Sequence, residues 1–464
     1  MIEPYEPGSF RDRNARVFIR NDSVFRGLNQ QATAEWEALA ETRFFRRFSA
    51  DGRLVATEMV DAPAGTADAE RWVSFLRHER IPFVSYPYEW CFGMLKAAAL
   101  LQLDLLLAAL DEDLILKDSS AFNVQWVGAA PVFIDIGSFE RLSPGDPWVG
   151  YRQFCEMFLC PLMLQAYKDV PFHVWMRGSI DGLGPAECSR LFSLRDLLRP
   201  GVLKHVFLQA KLEARYADTK RNVRDDLRKA GFAKELIQAN VKGLRRLVAG
   251  MVWRRQESEW SDYVDCGHYE PADQQKKVDF VRDVVSARSR RLVWDLGCNT
   301  GTFSRIAAEG ADYVVAQDGD HLAIERLWHE LSAEGNRKIL PLVNNLADPS
   351  PALGWRGRER KALEQRGTPD LVMCLALVHH MVITANLPMR EVVDWLASLG
   401  GDLVIEFVTK DDPMVHTLLR NKHDNYDDYD LDFFERCLAE SFEIGRREPL
   451  CEGRRIMYHA LSRR

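Results

Sequence analysis

A chain of 464 residues, 47% hydrophobic and 28% charged, is long enough for two or three domains that each bury a core. Its formal net charge of -7 excludes a broad basic face of the kind that binds nucleic acid and favours a small-molecule or carbohydrate partner, with protein partners left open. Nine cysteines lie scattered without a CxxC pair, which argues against a zinc site or a disulfide framework and for buried thiols in a cytoplasmic protein.

The start, MIEPYEPGSF, has neither the charged nor the apolar region of a signal peptide. Short β-like runs follow at 16–19 and 23–25, separated by the turn formers Asn21 and Asp22, then a helix over 30–41 and strands at 53–59 and 81–86. The aromatic segment 86–92 leads into a long helix, 93–110. The longest apolar stretch, 91–110, is interrupted by Lys96 and Asp104, so an amphipathic helix is expected there and no membrane span.

Next come ILKDSSAFNVQ (115–125) and PVFIDIG (131–137). An acid, four residues, an asparagine, a short hairpin and a strand ending Asp-Ile-Gly resemble a protein-kinase catalytic loop and the metal-binding Asp-Phe-Gly that follows it. On that resemblance Asp118 would orient an attacking hydroxyl, while Asn123 and Asp135 would hold magnesium against the phosphates of ATP. The sequence departs from the pattern in three ways. Leu116-Lys117 stands where many kinases carry His-Arg, no GxGxxG loop precedes it, and only Arg20 or Arg26, with Glu35 or Glu37 as helix partner, stands for the phosphate-pairing lysine. Arginine does not simply replace that lysine. The resemblance implies a kinase-like α+β domain over 1–255, with a β-rich lobe to about residue 90 and a helical lobe over about 91–255.

Helices are expected at 148–167, 191–198, 202–216 and 234–255, their aromatics serving as core and not as a cofactor box. The charged run 219–228 reads as a solvated connection. Residues 256–274, with Trp260, Tyr263, His268 and Tyr269, read as a linker able to fold over a site. Strand and helix then alternate, the pattern of a parallel sheet flanked by helices: a helix at 276–286, strands beginning at 292 and over 313–317, 339–343, 371–375 and 403–407, helices at 302–309 and 321–333, and a hairpin of 442–446 with 456–462.

Within this half, LVWDLGCNTGTF (292–303) reads as strand, tight loop and helix. Gly297 and Gly301 can adopt angles closed to other residues and let a ligand approach the main chain, and the N–H groups of the helix start suit an anion. Asp318 closes the second strand, where an acid would accept both ribose hydroxyls of a nucleoside; Asp320 competes for that role or caps the next helix. Asn344, Asn345 and Asp348 follow the third strand, where an adenine edge would be bound, or are loop chemistry. His379 and His380 follow the fourth, near the carboxyl ends where ligands gather. A neutral imidazole there could take a proton, and only one of two adjacent side chains need face the cleft.

Together these residues resemble a class I S-adenosylmethionine-dependent methyltransferase, with DLGCNTG as its first motif. SFRDRNARVF, IPFVSYPYEWCFGMLKAAALL, LKDSSAFNVQW, PVFIDIGSFE, LALVHHM and FVTKDDPMV are similar to a bacterial family that includes the nodulation protein NoeA, and the resemblance covers nearly the whole chain. It implies a Rossmann-like sheet over 275–464 that binds S-adenosyl-L-methionine through Asp295, Gly297, Asn299, Gly301, Asp318, Asn345 and Leu346, with His379 or His380 as the base. Asn345 stands where many relatives of the wider superfamily carry Asp. Tyr269, His268 and the run 424–429 are candidate covers over an acceptor, the last equally a solvated loop. Two other expectations stand beside methyl transfer: a front domain that binds ATP or a phosphorylated ligand, and a noncatalytic protein that only binds the cofactor.

Overall fold

The computed structural model describes residues 5–63, 66, 69–217, 233–255, 257, 269–420 and 422–463. Two compact units divide the chain. One comprises Met1–Trp126, Pro131–Arg255 and Leu353–Arg360, the other Val127–Ala130, Gln256–Ala352 and Lys361–Arg464.

The first unit opens with β1 (Ala15–Arg20) and β2 (Ser23–Leu28). Asn21 and Asp22 both have positive φ, 45° and 67°, the backbone of a two-residue hairpin turn whose twist matches its strands. The sheet is completed by β3 (Thr57–Val60) and β4 (Ser74–His78) in the order β1-β2-β4-β3. The strand expected at 81–86 is not one. Pro82 lies within it and Pro87 follows it, neither supplying an N–H to a ladder, and the pairing strand lies one run earlier. Helix Gln30–Ala40 starts where Asn29 accepts the Ala32 N–H at 2.9 Å. A second helix, Arg43–Ala50, was not expected; Thr42 caps it, and Phe44, Phe45 and Phe48 are its buried side.

Helix Phe92–Asp111 is long and apolar enough to cross a membrane by composition alone, yet most of it is buried inside its own unit. Lys96 Nζ donates to the Met251 carbonyl at 2.8 Å, and Asp104 pairs with Arg245 of helix Lys234–Ala249. After it, β5 (Leu114–Leu116) pairs with β8 (Phe139–Arg141), and β6 (Val124–Val127) with β7 (Ala130–Phe133). These two ladders frame the loop that carries Asp118, Asn123 and Asp135. The helix expected at 148–167 forms over 151–168 with a π turn, Cys155–Leu159, in its middle. Pro161 explains the turn: its ring cannot donate and would crowd a carbonyl one turn back, which a wider turn relieves. The helix expected at 191–198 shrinks to the 3-10 turn Leu194–Leu198. The run 219–228, Trp260, Tyr263 and His268 lie outside the described residues.

The second unit is a seven-stranded sheet of β9 (Arg290–Leu296), β10 (Ala311–Asp318), β11 (Ile339–Val343), β12 (Leu371–Cys374), β13 (Asp402–Val408), β14 (Phe442–Leu450) and β15 (Arg455–Ser462). The order is β11-β10-β9-β12-β13-β15-β14, with the first five strands parallel and β15 antiparallel to both its neighbours. This is a Rossmann-like α/β sheet. Its central strands are nearly continuous apolar runs because helices cover both faces. The order reverses at β9, between β10 and β12, and such a switch point opens a crevice at the carboxyl ends of the strands. Helices Met389–Ser398 and Leu431–Ser441, not foreseen in the sequence, flank the later strands.

Candidate functional site

The crevice is floored by the loop between β9 and helix Thr302–Gly310. Gly297, Asn299 and Gly301 take φ of +77°, +49° and +83°. The N–H groups of Gly297 and Cys298 both donate to the Gln317 carbonyl, at 2.8 and 3.0 Å, which ties the loop to β10. A Cβ on Gly301 would stand 2.5 Å from Leu327 Cδ1, and one on Gly297 3.2 Å from Leu377 Cδ1. Gly301 is therefore demanded by packing as well as by φ, and Gly297 by φ with Leu377 close against it.

Asp318 ends β10 half-buried. Its Oδ2 accepts the Asn299 N–H and its Oδ1 the Asp320 N–H, each at 2.8 Å. The Gly319 N–H also bonds to this carboxylate, which keeps room for a further donor. Burial raises its pKa in spite of these bonds. Asp320 is the cap of the next helix: its Oδ1 accepts from Leu322 N at 2.8 Å and Ala323 N at 3.2 Å. Asp295 points into the protein, where Ser304 Oγ donates to it at 2.6 Å. Burial outweighs that bond and pushes its pKa up to about 7.

After β11, Asn344 is buried and its Nδ2 donates to Gln317 Oε1 at 2.7 Å. Asn345 is exposed, and its side chain accepts the Ala347 N–H at 3.1 Å, so that side chain is engaged in loop chemistry. Leu346 is buried beside it.

The two histidines follow the fourth strand. β12 stops at Cys374, and both lie beyond it on a helical turn, following Ala376 with φ +49°. His379 is wholly buried, and the ring of half-buried His380 lies 4.1 Å from it, centroid to centroid. Burial lowers the His380 pKa to about 4, which keeps its imidazole neutral at pH 7.

A network that the sequence did not announce borders this crevice. Tyr269, just before helix Pro271–Ser286, donates its hydroxyl to Glu406 of β13 and receives bonds from Lys277 Nζ at 2.9 Å and Arg455 Nη1 at 2.7 Å. Lys277 lies 2.7 Å from Glu406, and Arg455 Nε donates to Asp412 at 2.8 Å. Lys277 also sits 4.9 Å from the Phe303 ring centroid, beside the glycine loop. Against the cost of burial, Lys277 and Arg455 hold the Glu406 carboxyl below its usual range, while burial and Glu406 push the Tyr269 phenol far up. The available signal was a charge inside an apolar run, as in LVIEFV of β13. In the run 424–429, Tyr426 and Tyr429 are buried and bonded to the carbonyls of Ile383 and Val408, and Asp424 pairs with Lys410.

A surface cavity of about 500 Å³ opens at the opposite, amino ends of the strands, lined in part by Arg288, Asp370 and Asp402. Two of its carboxylates are already paired, Asp370 with the N–H groups of Arg291 and Leu292 and Asp402 with Arg288 and Arg290, and it lacks the glycine loop. The carboxyl-end crevice is the better candidate. It fits a nucleoside-bearing cofactor: a glycine loop, a helix start, and an acid at the end of β10 that can accept a further bond.

In the first unit, Arg26 Nη1 lies 2.7 Å from Asp135 Oδ1, and Ser138 Oγ donates to Asp135 Oδ2 at 2.6 Å. Asn123 Nδ2 donates to Ser138 at 3.2 Å, and Asp118 Oδ1 accepts the Ser120 N–H at 2.9 Å. Lys117 pairs with Glu35 at 3.0 Å. The guanidinium of Arg26 thus already stands as a cation against Asp135, where a second cation would be repelled. This donor set does not fit magnesium-bound ATP, and among the described residues no cluster of three or more His, Cys, Asp or Glu suits a metal ion.

No family model matches the chain. Among solved structures, the N-methyltransferase NodS from Bradyrhizobium japonicum WM9 in complex with S-adenosyl-L-homocysteine is 13% identical, with a TM-score of 0.33 over 45% of this chain and 100% of that one. The bifunctional kinase-methyltransferase WbdD is 16% identical, with a TM-score of 0.30 over 42% of this chain and 40% of that one. The nodulation protein NoeA of Rhizobium meliloti (strain 1021) is 34% identical over 454 residues, 97% of this chain and 94% of that protein. The chain belongs to the NoeA family.

Proposed function

We propose that this protein transfers the methyl group of S-adenosyl-L-methionine to a small-molecule or carbohydrate acceptor at the carboxyl ends of β9 to β12. The observation that carries this reading is Asp318, held by the Asn299 N–H against the glycine loop with room to accept a further bond. The bound cofactor supplies an already activated methyl group, so the chain's task is to position the acceptor and exclude water. Gly297, Asn299 and Gly301 shape the floor under the methionine part. Asp295 braces that floor through Ser304. Asp318 accepts the ribose hydroxyls, Leu346 flanks the adenine, and Asn345 takes part through its main chain. His380, neutral and half-buried, takes the proton of the acceptor, while His379 packs beneath it. Tyr269 closes the side near β13. The acidic charge balance disfavours a nucleic-acid acceptor, and the eight described cysteines, all buried, agree with work in the cytoplasm. The test is purified protein with methyl-labelled cofactor and a fractionated host extract. Label should enter one fraction and vanish with Asp318→Ala; tight cofactor binding with no labelled fraction would leave a noncatalytic binder.

A second reading concerns the first unit. Its element order, an antiparallel sheet, a helix bearing Glu35, the long helix and the Asp118 loop, favours a kinase-like domain over 1–255, joined by a linker at 256–274 to a methyltransferase domain at 275–464. Such a domain would bind a nucleotide or a phosphorylated ligand and regulate the protein. Calorimetry with ATP, at millimolar concentration and with or without magnesium, tests it; no heat in either case removes this reading.

A further inference from the structure

Asp118, Asn123 and Asp135 stand at the spacing of an acid and two metal ligands in a phosphoryl-transfer centre, yet their bonds describe a different device. Arg26 lies on β2 and is buried. The registers Val24↔His78, Arg26↔Leu76 and Thr57↔His78 place Arg26, His78 and Thr57 on one face of the sheet. His78 Nδ1 bonds to Thr57 Oγ1 at 2.9 Å, while His78 Nε2 and Arg26 Nε are buried with no hydrogen-bond partner. A Cβ at Gly137 would come within 3.0 Å of Arg26 Nη1 and 3.5 Å of Asp135 Oδ1, so the glycine of the Asp-Ile-Gly motif leaves room for the guanidinium. Glu35, the acid that could have held a basic residue away from Asp135, is taken by Lys117.

We propose that Arg26 is a built-in cation: its guanidinium fills the coordination space beside Asp135 that a divalent metal would take, so this centre binds no divalent metal. A guanidinium suits the place because it is permanently charged and meets a carboxylate through directed N–H bonds. Its spare Nε–H and the unsatisfied His78 Nε2, an acceptor because Nδ1 donates to Thr57, suit one water molecule that accepts from the first and donates to the second.

The experiment is manganese binding to the full chain, followed by the electron paramagnetic resonance of the free ion. Wild type should leave the signal unchanged into the millimolar range. Arg26→Ala should acquire one site with at least tenfold tighter binding than wild type, and Asp135→Asn added to it should abolish that site. Arg26→Met keeps the buried stem and serves as the parallel variant, with a cooperative thermal transition required of whichever is used. Manganese binding by wild type that Asp135→Asn removes would overturn the proposal, as would folded Arg26 variants that gain no site. Neither result depends on methyl transfer, which the label assay reads separately.

Discussion

Asp318 and Asn299 lie on different elements, yet the carboxylate of the first accepts the N–H of the second at 2.8 Å. The end of β10 and the loop after β9 are thereby one mechanical piece. Asp318→Ala should remove the ribose acceptor and release the loop together, lowering affinity for S-adenosyl-L-methionine by about 10- to 100-fold, or roughly 1.4 to 2.7 kcal/mol. Asp318→Asn keeps one acceptor oxygen and should fall between. Isothermal titration calorimetry measures both, and an unchanged dissociation constant for the alanine variant would show that the ribose sits elsewhere.

Asp295 makes a prediction about pH. Its pKa of about 7 in the folded chain lies above the unfolded value near ~3.9, so between the two the native state binds the extra proton. Stability from this group is present below about pH 4 and lost as pH rises through 7. Asp295→Asn, which still accepts from Ser304, should match wild type near pH 4 and exceed it at pH 8 by at most about 4 kcal/mol. Hydrogen exchange of the β9 amides at two pH values reports this for the second unit alone. An equal difference at both would refute the assignment.

Lys277 and Glu406 form a buried pair, 5% and 0% exposed in their side chains. Removing only the lysine strands a carboxylate away from water, so Lys277→Met should cost about 3 to 5 kcal/mol. The double variant with Glu406→Gln should recover most of it. Chemical denaturation of the four proteins of this cycle gives the coupling; strict additivity would mean the pair does not interact.

For His380, burial sets the pKa near 4, below the ordinary ~6.5. Once an acceptor is in hand, the transfer rate should hold level as pH drops past 6.5 and fall only near 4. The same shift makes the fold less stable over that interval, because the unfolded imidazole takes up the proton first. His380→Gln should slow transfer by about 10²- to 10⁴-fold, whereas substitution of His379 should act on stability. A rate that falls at 6.5, or an active His380→Gln, would move the base to another residue.

The glycine loop and the ends of β9, β10 and β11 were legible because each is a local pattern: an apolar run, a turn former, a cap. Asp320 could be recognised as a rival to Asp318 for the same reason, since its cap lies two and three residues away. What escaped depends on partners far apart in the chain. Arg26 and Asp135 were each singled out, but the bond between them spans 109 positions. Tyr269 and Glu406, 137 apart, could not be joined by any periodicity. The strand placed at 81–86 failed for a local reason, since apolar content was weighed above Pro82 within it and Pro87 just after it.

Cys298 sits inside the glycine loop, between residues of left-handed backbone, and is buried. Burial, with Asp318 and Asp295 nearby, pushes its thiol well above the usual range, so it is both shielded and protonated. It can therefore keep time for the loop. An alkylating reagent will reach it only when the loop opens, and the rate of that modification, slowed when donor molecule fills the crevice, would chart the breathing of the site without any acceptor being known.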